Sequence, residues 1–223
     1  MARPREQEAT PKVVDTPDGP RRSALLQERS RRTRAQLVRA ALQLWSERGF
    51  ERGIEETTVN EIASAANVTK GTFYFHFAHK EDILLELGWG TAAVMFDEAT
   101  KSLASGVPVE TAVDRLMTSL ARRVELAPRA AVARSVAEFH RLPTTTTPPR
   151  PVFGFRQSFA ALFAHAQDVG ELPADLDANE LGRMLEAVTM DAIVAWAGRK
   201  NGRLRPTLRR RAALLVAGFK TGV

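Results

Sequence analysis

Apolar residues recur at helical rather than alternating spacing along almost the whole chain. Leu37, Ala41, Leu44 and Trp45 fall on one face of a helix that Gly49 stops. Val59, Ile62, Ala63 and Ala66 mark a short helix, and Thr58 and Glu61, in Thr-x-x-Glu spacing, form a capping box at its start. Asn67 follows, a residue type that accepts a left-handed turn. Thr69 caps another short helix running through Phe77, and Glu81 and Asp82 favour the positive end of a fourth that extends towards Thr100. Further on, prolines punctuate segments marked by Leu116, Leu120 and Val124, by Val132, Val136 and Phe139, and by Phe155, Phe159, Leu162, Phe163 and Ala166. Asp177 and Glu180 open a helix carrying Leu181, Met184, Leu185, Val188, Ala192 and Trp196, and a last helix from Thr207 carries Leu208, Ala212, Leu215 and Phe219. No alternating stretch reads as a strand, so the predicted fold class is all-α.

Composition narrows the setting. With 223 residues, 44% hydrophobic and 26% charged, the chain can bury a sizeable core without staples. The absence of cysteine removes disulfides, thiolate metal sites and Cys nucleophiles. Uncharged stretches such as Leu87–Phe96 fall well short of the ~20 apolar residues that a membrane-spanning helix needs. Residues 1–30 hold no apolar run fit for a signal-peptide core. The expected location is therefore the cytoplasm, with no membrane partner. Residues 1–23, rich in Pro, Gly and charge, are expected to be a disordered extension.

Charge adds a polarity. Residues 21–80 hold eleven Lys/Arg against six Asp/Glu, residues 81–198 hold ten against sixteen, and residues 199–223 hold eight against none. A basic N-terminal block ahead of an acidic body points to a polyanion-binding head on a body that does something else. Two basic ends on any soluble protein would look the same.

The stretch Thr57–Leu84 has the physics of a helix-turn-helix. Two short helices meet through Ala66-Asn67-Val68; the first crosses the DNA backbone and the second enters the major groove. Short residues at the start of the second helix, Thr69, Gly71 and Thr72, let backbone amides approach phosphates. Tyr74 and His76 offer polar tips, while Phe73 and Phe77 turn inward. Arg31, Arg32 and Arg34, on the first helix, are expected at phosphates, and Arg21 and Arg22 in a solvated tail. Thr58 and Thr69 serve equally as helix caps.

This stretch resembles the TetR family of bacterial transcriptional regulators. The pattern runs through Ala40–Ala41, Trp45, Gly49–Phe50, Thr57–Thr58–Val59, Ile62–Ala63, Val68–Thr69, Gly71–Thr72–Phe73–Tyr74, Phe77 and Lys80–Glu81, and covers roughly residues 30–85. Two departures stand out: Glu51–Glu56 is longer than the usual segment and is expected to lengthen a loop, and Asn67 replaces the usual Gly. The resemblance implies an N-terminal three-helix DNA-binding head over residues 24–85 and a ligand-binding, dimerising body over residues 86–223. It implies base-edge readers at Thr69, Lys70, Thr72 and His76, and phosphate contacts at Thr58, Tyr74 and Lys80.

For the body the resemblance implies a small-molecule pocket among the central helices and a homodimer formed through the last two. The expected pocket residues are Phe96, Met117, Phe139, His140, Phe155, Phe159, Phe163 and Met184, with the entrance near the Pro/Thr loop Leu142–Pro151. The expected dimer residues are Leu181, Leu185, Val188, Trp196, Ala213, Ala217 and Gly218. The basic run Arg199–Arg211 is read as a solvated loop, or as a contact with acidic groups of a partner subunit. No metal site or cofactor is expected, since His140 and His165 lack a third ligand. No nucleophile elbow, phosphate loop or dinucleotide fingerprint is present, which argues against an enzyme. The expectation is a repressor that binds a palindromic double-stranded operator as a dimer and is released by a small apolar molecule. The rivals are a ligand-free architectural DNA-binding protein, which would protect DNA without sequence preference, and a small helical enzyme.

Overall fold

The computed structural model describes residues 19–141 and 154–221 of the chain. Among these are ten helices and no strand: α1 (Gly19–Glu47), α2 (Phe50–Glu56), α3 (Val59–Ala65), α4 (Lys70–His76), α5 (Asp82–Ala104), α6 (Val109–Glu125), α7 (Arg129–Arg141), α8 (Phe155–Asp168), α9 (Ala178–Ala197) and α10 (Leu204–Thr221). The class is all-α. The expected disordered residues 1–18, the loop Leu142–Pro151 and the side chains of Arg21, Arg22 and His140 lie outside the described residues.

Two apolar cores organise the chain. The first gathers Leu37, Ala41 and Trp45 of α1, Phe50 and Ile54 of α2, Ile62 of α3, Phe73 of α4, and Ile83 and Leu84 at the start of α5. Ala131 of α7 joins it, so the body reaches into the head. Asn67 sits at φ 54, the left-handed geometry its side chain tolerates, and turns α3 into α4. The second core packs α6 residues Leu116, Met117 and Leu120 against Phe159 and Phe163 of α8, Leu185 and Trp196 of α9, and Leu208 and Phe219 of α10.

The structure corrects three sequence readings. The segment Glu51–Glu56 is not a longer loop but most of helix α2, so α1–α4 form a four-helix rather than a three-helix head. Gly49 at φ 79 redirects the chain, and Phe50 and Ile54, four apart, bury one face of α2. Gly53 lets α2 lie directly on α1, because a Cβ there would come within 2.5 Å of the Trp45 carbonyl oxygen. An apolar pair this short carries no legible period. Second, α1 begins at Gly19, ahead of the expected Ala24, with Pro20 in the first turn where its missing N–H costs nothing. The stretch before Thr33 stands clear of the core, and Leu25 and Leu26 are 62% and 64% exposed. Third, α10 starts at Leu204, whose N–H donates to Glu125 Oε1 at 2.6 Å, so much of the supposed Arg199–Arg211 loop is helix. Arg209 pairs with Asp114, and Arg211 with Asp191 at 2.5 Å, so these charges meet acids of their own subunit. No helix among the described residues is long and apolar enough to cross a membrane.

Candidate nucleic-acid interface and ligand cavity

The helix-turn-helix is held by local chemistry. Thr58 accepts from the Glu61 N–H at 3.2 Å while Glu61 accepts from the Thr58 N–H at 2.7 Å, a complete capping box. Arg48 reaches in from the end of α1 and donates to Glu61 at 2.5 Å and to Thr57 Oγ1 at 3.2 Å. The Arg48 hydrogen bond, followed by those from the Thr58 backbone and hydroxyl, holds the Glu61 carboxyl down at about 2. Thr69 caps α4 by accepting from the Thr72 N–H at 3.1 Å, and its hydroxyl lies 2.9 Å from that of Thr72. Asp82 closes the start of α5 by accepting from the His79 N–H at 2.8 Å.

At the outer end of α4, Thr69, Lys70 and Gly71 are exposed and Thr72 is half-buried. Phe73 is fully buried, which turns the rest of the helix outward. Tyr74 is half exposed with its ring beneath Lys70 Nζ at 6.0 Å. Thr58, Tyr74 and Lys80, distant in sequence, line one shallow crevice of about 280 Å³. Lys80 Nζ donates to the carbonyls of Glu55 and Thr57, each at 2.9 Å, which leaves one of its three N–H groups for a further acceptor. Arg31 and Arg32 are exposed, and Arg32 pairs with Glu28 at 3.1 Å.

Arg34 stands apart from the expected phosphate ligands. Its side chain is only 14% exposed and is committed within the protein. Nε and Nη2 donate to Glu86 Oε1 at 2.8 and 2.6 Å, Nη1 donates to the His76 carbonyl at 2.5 Å, and the guanidinium lies 4.1 Å over the Phe77 ring. Its position one turn before the first buried apolar residue gave no sign of this. His76, half-buried, has its pKa lowered by burial and then by the nearby Arg34 charge.

A cavity of about 1320 Å³ lies between head and body. Its walls come from Val38 and Leu42 of α1, Leu87 and Trp89 of α5, Val132 and Phe139 of α7, Phe155 at the start of α8, and Met190 and Ile193 of α9. Gly88 makes room for Phe139, since a Cβ there would fall 1.9 Å from its ring. Of the expected pocket residues, Phe139 and Phe155 are walls. Phe159, Phe163 and Met117 are not: each is fully buried in the body core. Met184 is 42% exposed and Phe96 is half-buried, and neither is among the walls. The sequence missed the α1 wall, because Val38 and Leu42 flank the head's own apolar stripe.

Polar groups border the cavity: Glu86, Arg123, Arg156, Arg183 and Glu186. Arg183 pairs with Glu180. Burial pushes the Glu186 carboxyl up, with the nearby Arg156 charge and backbone acting against it. Arg123 shows no ion pair among the described residues.

The expected dimer face is turned on α9. Leu181, Leu185 and Trp196 are buried in their own subunit's core. Val188, also expected there, is half-buried, while Met184 and Val194 on the same helix are 42% and 48% exposed. On α10 the expected Ala213, Ala217 and Gly218 are exposed, with Leu214 65% exposed beside them.

Comparison with known proteins agrees with this arrangement. Residues 37–87 match the model of the bacterial regulatory proteins, tetR family. The HTH-type transcriptional regulator TcmR of Streptomyces glaucescens is 46% identical over 76 residues, 34% of this chain and 30% of that protein. The HTH-type transcriptional repressor KstR2 of Rhodococcus jostii is 35% identical over 69 residues, 31% of this chain and 34% of that protein. The chain thus spans about a third of the length of the curated relatives it matches. Over the greater length, it superposes on Thermus thermophilus FadR, a TetR-family transcriptional repressor solved with lauroyl-CoA, at a TM-score of 0.67 and 27% identity, covering 83% of this chain and 94% of that one. A capped helix-turn-helix joined to an all-helical body around a large cavity is thus similar in sequence, over the head, to the bacterial regulatory proteins of the tetR family, and similar in fold, over most of its length, to a TetR-family transcriptional repressor.

Proposed function

We propose that the protein is a dimeric repressor that binds an inverted-repeat operator and is released when a largely apolar small molecule enters the cavity between head and body. The observation that carries this reading is the cavity itself: α1 and α5 belong to its walls and also to the head core, so an occupant presses on the elements that hold α4. Thr69, Lys70, Gly71 and Thr72 face the bases, and Thr58, Tyr74, Lys80, Arg31 and Arg32 face phosphates. The residue range 24–85 acts as the DNA-binding unit and 86–223 as the ligand-binding and dimerising unit. Met184, Val188 and Val194 of α9, with Ala213, Leu214, Ala217 and Gly218 of α10, form the dimer face.

The occupant is an elongated or ringed apolar molecule with an acidic group. Leu87, Phe139, Met190 and Ile193 supply apolar wall, and Arg123 supplies a cation at the border that makes no ion pair among the described residues. The lauroyl-CoA held by Thermus thermophilus FadR supports this class of ligand. Release requires the ligand to prefer the DNA-free form, and operator DNA must then weaken ligand binding by the same factor.

Selection of bound sites from random DNA tests the reading. The expected result is an inverted repeat with half-sites about one helical turn, ~34 Å, apart. Dodecanoate and lauroyl-CoA should then displace the protein from that operator, and each should bind Arg123→Gln more weakly. Leu214→Glu with Val194→Glu should give a monomer of poor operator affinity. Protection of DNA without sequence preference, or a monomeric parent at operator-binding concentrations, would overturn it.

A further inference from the structure

Arg34 links the cavity wall to the end of the recognition helix. Glu86, on α5, borders the cavity and is 20% exposed. It receives two hydrogen bonds from Arg34, which spends its remaining terminal nitrogen on the carbonyl of His76, the last residue of α4. That carbonyl is one of those a helix C-terminus leaves unpaired, where a cation is favoured. The guanidinium also covers one face of Phe77, the C-cap of α4, at 4.1 Å. Three helices, α1, α4 and α5, therefore meet on one side chain. The arrangement is poorly hydrated, so removing either charge leaves the other without its partner.

We propose that Glu86 and Arg34 are positioning residues for DNA recognition: Glu86, from the cavity wall, fixes Arg34, and Arg34 fixes the C-terminal end of α4. Neither touches DNA. The Thr69 end of α4 is anchored separately by its own cap and by the turn at Asn67. The two ends of the helix are thus held by different means, and it is the His76 end that Arg34 and Glu86 connect to the cavity. This rests on the reading of α4 as the base-reading helix.

The experiment uses the full-length protein on the operator selected by the parent. Affinity is measured at several salt concentrations for the parent, Glu86→Gln, Arg34→Gln and the double variant, with thermal melts alongside. Each single variant should bind about tenfold more weakly, and the double about as weakly as the worse single, because both changes break one connection. The salt slope should stay at the parental value, whereas loss of a phosphate contact would reduce it by about one. Base preference should relax at the operator positions under the His76 end and persist at those under Thr69 and Thr72, a pattern that general destabilisation does not produce. Should Arg34→Gln fail to fold, Glu86→Gln carries the test, since it keeps the volume and an acceptor oxygen. Parental affinity and base preference in Glu86→Gln would overturn the inference alone, as would a drop of one in the salt slope of Arg34→Gln. A parent that selects no operator would overturn the reading beneath it as well.

Discussion

The head and the body are both helical, but they are specified differently. In the head, each boundary has a local cause within a few residues: Thr58 with Glu61, Asn67, and Thr69 with Thr72. In the body, the helices α5 to α10 find their faces by packing on one another and, for α5 and α7, on the head. α9 shows what this means: Leu185 and Trp196 point to the core, Met190 and Ile193 border the cavity, and Met184 and Val194 are exposed. One apolar helix serves three surroundings, and helical periodicity alone cannot say which stripe meets which. Caps fix where a helix lies in the chain; long-range packing fixes how it is rotated.

The sharpest way to break this contrast is at the body core. Phe159→Ala and Phe163→Ala should each cost about 3–5 kcal/mol of stability, since both side chains are fully buried. Phe139→Ala, at a cavity wall, should cost clearly less and change the ligand response instead. Denaturant melts of the three variants separate the outcomes, and equal losses would erase the distinction between core and cavity wall. Next in size, Gly53→Ala forces a methyl against the α1 backbone and should cost about 1–3 kcal/mol. That loss should appear as reduced operator binding at growth temperature, with the melting of the body less affected. Thr58→Ala removes one half of the capping box and should cost about 1 kcal/mol. Thr58→Ser should restore most of it.

The smallest effects are in acid. Glu61 has its pKa lowered from 4.5 to about 2, so its contribution to the head is present above the ordinary carboxylate range and is lost as pH falls towards 2. Glu186 in the body is raised, so its burial costs stability once pH rises through its folded pKa and that cost disappears on acidification. Acid titration of Glu61→Gln and Glu186→Gln should therefore shift stability in opposite directions relative to the parent. Shifts of the same sign would show that the two carboxylates do not differ as described.

Much of the head was legible in the sequence because its signals are short and chemical. The capping box, the turn residue and the buried Phe73 and Phe77 stand where the pattern put them. Helix α2 escaped because Phe50 and Ile54 make a single i, i+4 pair. Arg34 escaped for another reason: a basic residue on a basic helix looks like a DNA ligand until Glu86, 52 positions away, is brought to it. In the body, Phe139 and Phe155 were placed at the cavity, while Phe159 and Phe163, one and two turns further along α8, went to the core. Aromatic content marked the right helices, and rotation decided the rest.

Helix α1 runs unbroken from the cavity wall to Gly19, about 44 Å long at the usual rise per residue. Arg34 pins it part-way along. Leu42, at the cavity, lies about 12 Å to one side of that pin, and Gly19 lies about 22 Å to the other. The helix is therefore a lever with unequal arms. A tilt about Arg34 that moves Leu42 by about 1 Å swings Gly19 by about 2 Å the opposite way. A displacement too small to empty the cavity is thereby doubled at the far end of the helix.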